Sequence, residues 1–204
     1  MRRHRQSAFT LIELLVVIGV IALMAGALLF GLSGGNSSVS LGTAQSSLAG
    51  LLSAARSQAA IEGRDVAIMI NADLNDRENY LHTMVLVGAK GGEWEQIGDM
   101  ISLPNNIYVV PPSSVPTQQG VYFAKAVSSA LAVGNKLEGV PQLSLRFTSL
   151  GKPDGTNGAI VFSTADRQPE SVLSPILFNN AEDVRGVIIS AYGAVTFVDE
   201  KNGF

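Results

Sequence analysis

Hydrophobic positions along the chain fall into three regimes. From Leu14 to Leu32 they form 19 residues without a charge, near the ~20 that a helix needs to cross a bilayer. In the second regime they become periodic. Leu41, Ala44, Leu48, Leu51, Ala55 and Ala59 recur at steps of three and four, the mark of a helix with one buried face. Gly63 suits the C-cap of that helix. Between these two regimes, Gly31-Leu32-Ser33-Gly34-Gly35-Asn36-Ser37-Ser38 is dense in glycine and serine and predicts a flexible joint.

Beyond residue 63 the pattern turns to short runs rich in Val, Ile and aromatic residues. Residues 66–70, 80–87, 93–103, 143–147, 159–163, 187–191 and 195–198 are predicted strands. Hairpin turns are expected at Lys90-Gly91-Gly92, at 154–158 and at Tyr192-Gly193, because Asn-Gly, Asp-Gly and similar pairs supply positive φ angles. Residues 104–120, with Pro104, Pro111, Pro112 and Pro116, predict a long surface loop, and 123–133 a short helix. A helix followed by antiparallel strands is an α+β arrangement. The chain thus divides into a leader (1–8), a transmembrane helix (9–32), a joint with an amphipathic helix (33–62) and a β-rich head (63–204). The head region has the length of one compact domain.

The leader carries Arg2, Arg3, His4 and Arg5, and no acid precedes Glu13. A positive flank beside an apolar run holds the leader in the cytoplasm and exports the chain beyond the run. A cleavable secretory signal has an apolar core of about 7–15 residues followed by small residues. Ala25-Gly26-Ala27 mimics such a site, but the core here is longer. Glu13 is the anomaly, since an acid inside a membrane helix costs roughly 2.5–3.5 kcal/mol and normally has a partner and a role.

Basic leader, small residue, then Phe9-Thr10-Leu11-Ile12-Glu13-Leu14 and an apolar run resemble the amino-terminal signal of type IV pilins and type II secretion pseudopilins. The resemblance implies that prepilin peptidase cuts between Ala8 and Phe9 and methylates the new amine of Phe9. It implies that the helix stays attached and becomes the filament core, and that Glu13 pairs with the amino terminus of a neighbouring subunit during assembly. The other partners implied are pilins or pseudopilins and an inner-membrane assembly platform. The expected location is the inner membrane, single-pass, with the head in the periplasm. Electrostatics agrees with the role of Glu13, because a carboxylate is penalised alone in lipid and attracted to a cationic terminus in a low-dielectric bundle. The family prefers glycine before the cut, where this chain has Ala8. It often carries a proline in the helix, whereas the first proline here is Pro104. Gly19, Gly26 and Gly31 remain as weak points, and Ala22 with Gly26 forms a small-xxx-small pair that allows close helix packing.

The head is more loosely similar to minor H-type pseudopilins and FimT-type minor pilins. Ala55-Arg56-Ser57-Gln58-Ala59 with Gly63-Arg64 resembles their helix-to-strand junction. Phe147-Thr148-Ser149-Leu150-Gly151, Ile160-Val161-Phe162 and Ile188-Ile189-Ser190 with Gly193 resemble their closing strands. The function implied is a structural, non-catalytic subunit, a minor pseudopilin of a type II secretion-like filament. The alternative is a FimT-type minor type IV pilin serving pilus assembly or DNA uptake.

Composition narrows the field. Without Arg2, Arg3 and Arg5 the chain has 11 Lys+Arg against 17 Asp+Glu, a formal charge of −6. That balance argues against nucleic acid, which clustered cations attract. There is no cysteine, so a hydrophobic core holds the fold. No cofactor motif and no zinc cluster is present. Gly31-Leu32-Ser33-Gly34-Gly35 fits a G-x-S-x-G nucleophile elbow in letters, but that elbow needs a strand-to-helix turn beside a histidine. His82 is the one histidine outside the leader, and it is expected on a strand surface or half-buried. Asn71, Asp73, Asn75, Asp76, Glu78 and Asn79 crowd one loop with oxygen ligands. Aligned to an EF-hand they place Asp76 at the required glycine and His82 at the closing glutamate, so a solvated hairpin loop is the expectation rather than a calcium site.

Overall fold

One α-helix, eleven strands and a short 3₁₀ helix (Lys201–Gly203) are the regular elements of the described residues. The computed structural model describes residues 11–112, 132–137, 140–155 and 158–204, without the side chains of residues 13, 23, 25–36, 132–137 and 140. Helix α1 (Leu11–Glu62) is 52 residues long and continues through 31–38, where the sequence predicts a joint. Glycine costs about 1 kcal/mol in a helix relative to alanine, yet it keeps its backbone donor and clashes with nothing. Only proline would remove that donor. The chain separates into two compact units, Met1–Val39 and Ser40–Phe204.

In the second unit the predicted apolar stripe is the foundation of the core. Leu41, Ala44, Leu48, Leu51, Ala55 and Ala59 are all buried, joined by Leu52 and Gln45. Gly63 has φ +62 and ends the helix in the left-handed conformation a C-cap requires. The chain then reverses into strands β1 (Val66–Asn71), β2 (Thr83–Lys90), β3 (Glu93–Gln96), β4 (Ile101–Ser102), β5 (Ile107–Val110), β6 (Ala132–Leu137), β7 (Val140–Phe147), β8 (Gly158–Arg167), β9 (Ile176–Phe178), β10 (Val184–Ile189) and β11 (Val195–Val198).

These strands form two antiparallel sheets. The first runs β3-β2-β1-β7-β6 with β4 beside β2, and the second runs β11-β10-β8-β5 with β9 beside β8. Their registers give the head two ends. At the upper end, where α1 terminates, Val66 faces both Gly88 and Phe147, and Gly158 faces Ile189. At the lower end lie Asn71 opposite Gln142 and Arg167 opposite Ile176. One apolar cluster joins α1 to both sheets, including Ile68, Leu145, Phe162 and Val187. A smaller cluster of Ala67, Met69 and Val87, with Trp94, sits among the alternate residues of β1 and β2.

The two sheets are tied where the sequence predicts plain strand. Residues 80–82 precede β2 in a turn with Leu81 at φ +52. Leu81 donates its amide to Asn71 O at 2.7 Å and accepts from the Val109 amide at 2.9 Å, linking β1 to β5. The predicted strand 93–103 divides into β3 and β4, and β5 emerges from the segment expected to be loop. Strand β9 is another addition, and β10 starts three residues before its predicted position. The turn at 154–158 is no hairpin, because β7 and β8 belong to different sheets. The other two expected turns do join paired strands, with Gly91, Gly92 and Gly193 all at positive φ. Of the predicted helix 123–133, residues 123–131 lie outside the described residues and Ala132 and Val133 begin β6.

Gln45 is the one polar side chain in the buried stripe of α1. Its amide donates to Gly186 O at 2.7 Å and to Val198 O at 3.1 Å, two residues that are register partners in β10 and β11. A Cβ on Gly186 would collide with Ile160 O and Val161 Cα. Gln45→Leu is expected to lower stability by about 1–3 kcal/mol, the cost of buried acceptors losing a donor. Gly186→Ala is expected to cost about 1–3 kcal/mol or more through overpacking. Urea unfolding checks both, as a fall in midpoint at constant m value.

Candidate functional site

The amino-terminal part of α1 has no sheltered side. Leu11 is 82% exposed and Ile12 71%, and Leu14, Leu15, Val16, Val17, Ile18, Val20, Ile21 and Met24 are also open to solvent. Consecutive helical residues point about 100° apart, so these side chains cover the whole circumference. Covering each one would gain about 1.5–3 kcal/mol. Ala8 and Phe9, the expected processing residues, lie outside the described residues. Glu13 is described in its backbone alone, within α1. Among the described residues no helix is long and apolar enough to cross a membrane.

In the head, the upper end is built on a helix-to-strand junction. Arg146 of β7 donates to the Asp65 carboxylate, and the Ser149 amide donates to its other oxygen at 2.9 Å. The Arg146 guanidinium also lies 5.8 Å from the Trp94 ring centroid. Hydrogen bonding from Arg146, helped by its charge and by Ser149, holds the Asp65 carboxyl below its usual range against the opposing effect of burial. Beside it, Arg64 holds Glu62 below the usual range, again chiefly by hydrogen bonding. Two glycine turns converge on Arg56 of α1. A Cβ on Gly151 would lie 3.1 Å from Arg56 O, and one on Gly193 would lie 3.6 Å from Arg56 Cδ. Leu150 and Tyr192, next to those glycines, are left 77% and 76% exposed.

At the lower end, the oxygen-rich loop satisfies itself. Asn71 donates to the Asp76 carboxylate at 2.7 Å, Asn79 donates to both Asp76 oxygens at 3.0 Å, and Asp73 accepts from the Asn75 amide and side chain at 3.0 Å. Among the described residues no three His, Asp or Glu side chains are grouped to hold a metal. His82 differs from its expected place. It is buried just before β2, bonded through Nδ1 to Ile107 O at 2.9 Å and tilted against the Tyr108 ring. Aromatic and backbone partners on β5 draw it inside, a cross-sheet contact that strand alternation does not reveal. The residues of the nucleophile-like motif at 31–35 lie within α1, not at a strand-to-helix turn.

Arg77 makes the lower end a formed surface. Its guanidinium donates to Gln168 O at 3.2 Å, Pro169 O at 3.1 Å and Glu170 O at 3.5 Å, and also to Val172 O. That strap joins the β1–β2 connection to the β8–β9 connection. Between them opens a cleft of about 530 Å³, lined by Leu74, Asn75 and Arg77 on one side and residues 170–173 on the other. No sequence motif announces the strap, because among the described residues its partners are backbone carbonyls.

Residues 3–29 match the family model described as the prokaryotic N-terminal methylation motif, a span that includes Ala8, Phe9 and Glu13. The chain therefore carries a prokaryotic N-terminal methylation motif ahead of an α+β head. No curated protein matches it by sequence. Among solved structures it is similar to the type IV minor pilin FimU of Pseudomonas aeruginosa, at 15% identity over 78% of this chain and 87% of that one, with a TM-score of 0.45. It is also similar to the minor pseudopilin EpsH from the type 2 secretion system of Vibrio cholerae, at 12% identity over 78% of this chain and 96% of that one, with a TM-score of 0.45.

Asp65 predicts an acid limb in stability. A carboxyl whose folded pKa is depressed contributes stability above its unfolded value near ~3.9, and that stability is lost as pH falls through the folded value. Urea midpoints measured from about pH 5 to about pH 2 are expected to fall less steeply for Asp65→Asn than for the unaltered chain. Parallel curves for the two proteins would contradict this role.

Proposed function

We propose that the chain is a minor pseudopilin, a structural subunit of a type II secretion-like filament that assembles through its amino-terminal helix. The observation that carries this reading is the methylation motif over residues 3–29, with an acid inside its apolar run. Processing removes the basic leader between Ala8 and Phe9 and leaves a cationic, methylated amine. The helix holds the subunit in the inner membrane with its head in the periplasm.

Assembly then follows from electrostatics. In lipid the Glu13 carboxylate stands at a cost of roughly 2.5–3.5 kcal/mol. In the filament it meets the Phe9 amine of a neighbour, and a low-dielectric bundle strengthens that attraction. Moving from membrane to filament thus removes a penalty and sets axial register in one step. The bare side chains from Leu11 to Met24 exchange lipid for neighbouring helices. The subunit's work is packing and position rather than catalysis.

Glu13→Val is expected to leave processing intact and to abolish incorporation. Co-purification of the processed variant with filaments, measured against the unaltered chain, checks this. Normal incorporation would contradict the pairing, whereas loss of processing would place Glu13 in peptidase recognition instead.

A further inference from the structure

Strand β11 ends the second sheet and pairs with β10 alone. Its hydrogen-bonding phase follows from the turn before it. The Ser190 amide donates to Ala194 O at 2.9 Å, and the same register opposes Ile188 to Thr196 and Gly186 to Val198. In an antiparallel ladder every second pair exchanges its main-chain bonds. Thr196 and Val198 therefore turn their amides and carbonyls toward β10. Gln45 agrees with that phase, since its amide reaches Gly186 O and Val198 O together. Val195 and Phe197 turn their main-chain groups outward, where neither has a partner among the described residues.

Two other edges of the head are defended. The Val109 amide of β5 is taken by Leu81 O at 2.9 Å. Strand β3 carries Glu93 and Glu95, the latter paired with Lys90 at 3.0 Å. A covering segment and charge are usual protections of a sheet edge. Strand β11 has no charge and no proline, and its valines, threonine and phenylalanine favour extended backbone. Phe197 is left 53% exposed. Opposite Phe197 and Val195 stand Val187 and Ile189, members of the apolar cluster that joins this sheet to α1. A strand added at the edge would continue that apolar side past Phe197.

We infer that the outer edge of β11 takes up an extended segment of a different protein chain as an added strand. Main-chain bonds to Val195 and Phe197 hold such a segment, and side chains at alternate positions select it. Its chemistry is alternating, with apolar residues beside Val195 and Phe197 and polar residues beside Thr196. A second copy of β11 is the wrong occupant. Two identical antiparallel edges pair about a dyad normal to the sheet, which reverses every direction in the sheet plane. Helix α1 packs along the sheet, so the two copies' helices would point opposite ways. Subunits inserted in one membrane with a common orientation cannot pair so, a step that rests on the anchoring proposed above.

The probe is a short labelled peptide alternating valine or phenylalanine with threonine, titrated into the full-length chain in detergent micelles. Fluorescence anisotropy is expected to show saturable binding, weakened about tenfold or more when the peptide amides are N-methylated and cannot donate. Val195→Pro removes an outward donor and spares the β10–β11 ladder, so binding is expected to weaken about tenfold with the fold retained. Phe197→Lys places a charge on the edge and is expected to weaken binding about as much. Urea midpoints identify the variant that keeps its fold. No saturable binding, equal binding of the N-methylated peptide, or unaltered binding by a folded variant would overturn the inference. Self-association of the chain that Val195→Pro abolishes would overturn the choice of a different chain. Peptide binding requires neither cleavage after Ala8 nor assembly. A negative result therefore leaves the Glu13 reading standing, and normal incorporation of Glu13→Val overturns that reading without altering the peptide result.

Discussion

The head closes around one stripe of α1, and residues from both sheets join that stripe in one apolar cluster. Small residues at Ala44, Ala55 and Ala59 alternate with leucines at 41, 48, 51 and 52, so strands from both sheets reach the same helix. Alanine costs no side-chain entropy and leaves room for close approach. Leucine supplies the apolar area, at about 1.5–3 kcal/mol for each buried side chain. The lone polar member, Gln45, uses its amide on two carbonyls of β10 and β11 and fixes where the second sheet meets the helix. Junction residues carry the same constraint outward. Asp65 and Arg146 fix the reversal from α1 into β1, and Leu81 passes hydrogen bonds from β1 to β5.

The same helix obeys a different rule at its amino-terminal end. There the apolar side chains surround the axis instead of forming a stripe, and no described residue of that unit covers them. A helix that is hydrophobic all round requires lipid or other helices as its surroundings. The proposed filament subunit would meet both in turn, and the proposal gives the single acid there a use. The head adds surfaces of its own. At one end Leu150 and Tyr192 stand exposed on the turns beside Arg56, and at the other opens a cleft lined by Leu74, Asn75, Arg77 and residues 170–173.

Most of the helical architecture was legible in the sequence because periodicity reports burial directly. All six stripe positions read from the three-and-four spacing are buried, and Gly63 adopts the conformation its position requires. The hairpins at Gly91-Gly92 and Gly193 were legible for a similar reason, since glycine is nearly unique in accepting positive φ cheaply. Sheet membership was not. Residues 107–110 and 176–178 are short and lie among prolines, and their pairing with β8 is a long-range choice that local pattern does not encode. His82 and Arg77 escaped for the same cause, because their partners are backbone atoms far along the chain. The predicted joint at 31–38 is helix, since weak helix formers lower stability without forbidding the conformation. The amino-terminal motif was legible in full as letters, because residue identity there carries the chemistry and no fold is needed to see it.

The central claim is that this chain is shortened at a defined bond and uses the amine so created. The most direct measurement is the intact mass of the subunit recovered from the cell envelope, with fragmentation of its amino-terminal peptide. The account predicts residues 9–204 with one methyl group on the Phe9 amine. A chain still beginning at Met1, or one beginning after Ala27, would contradict it.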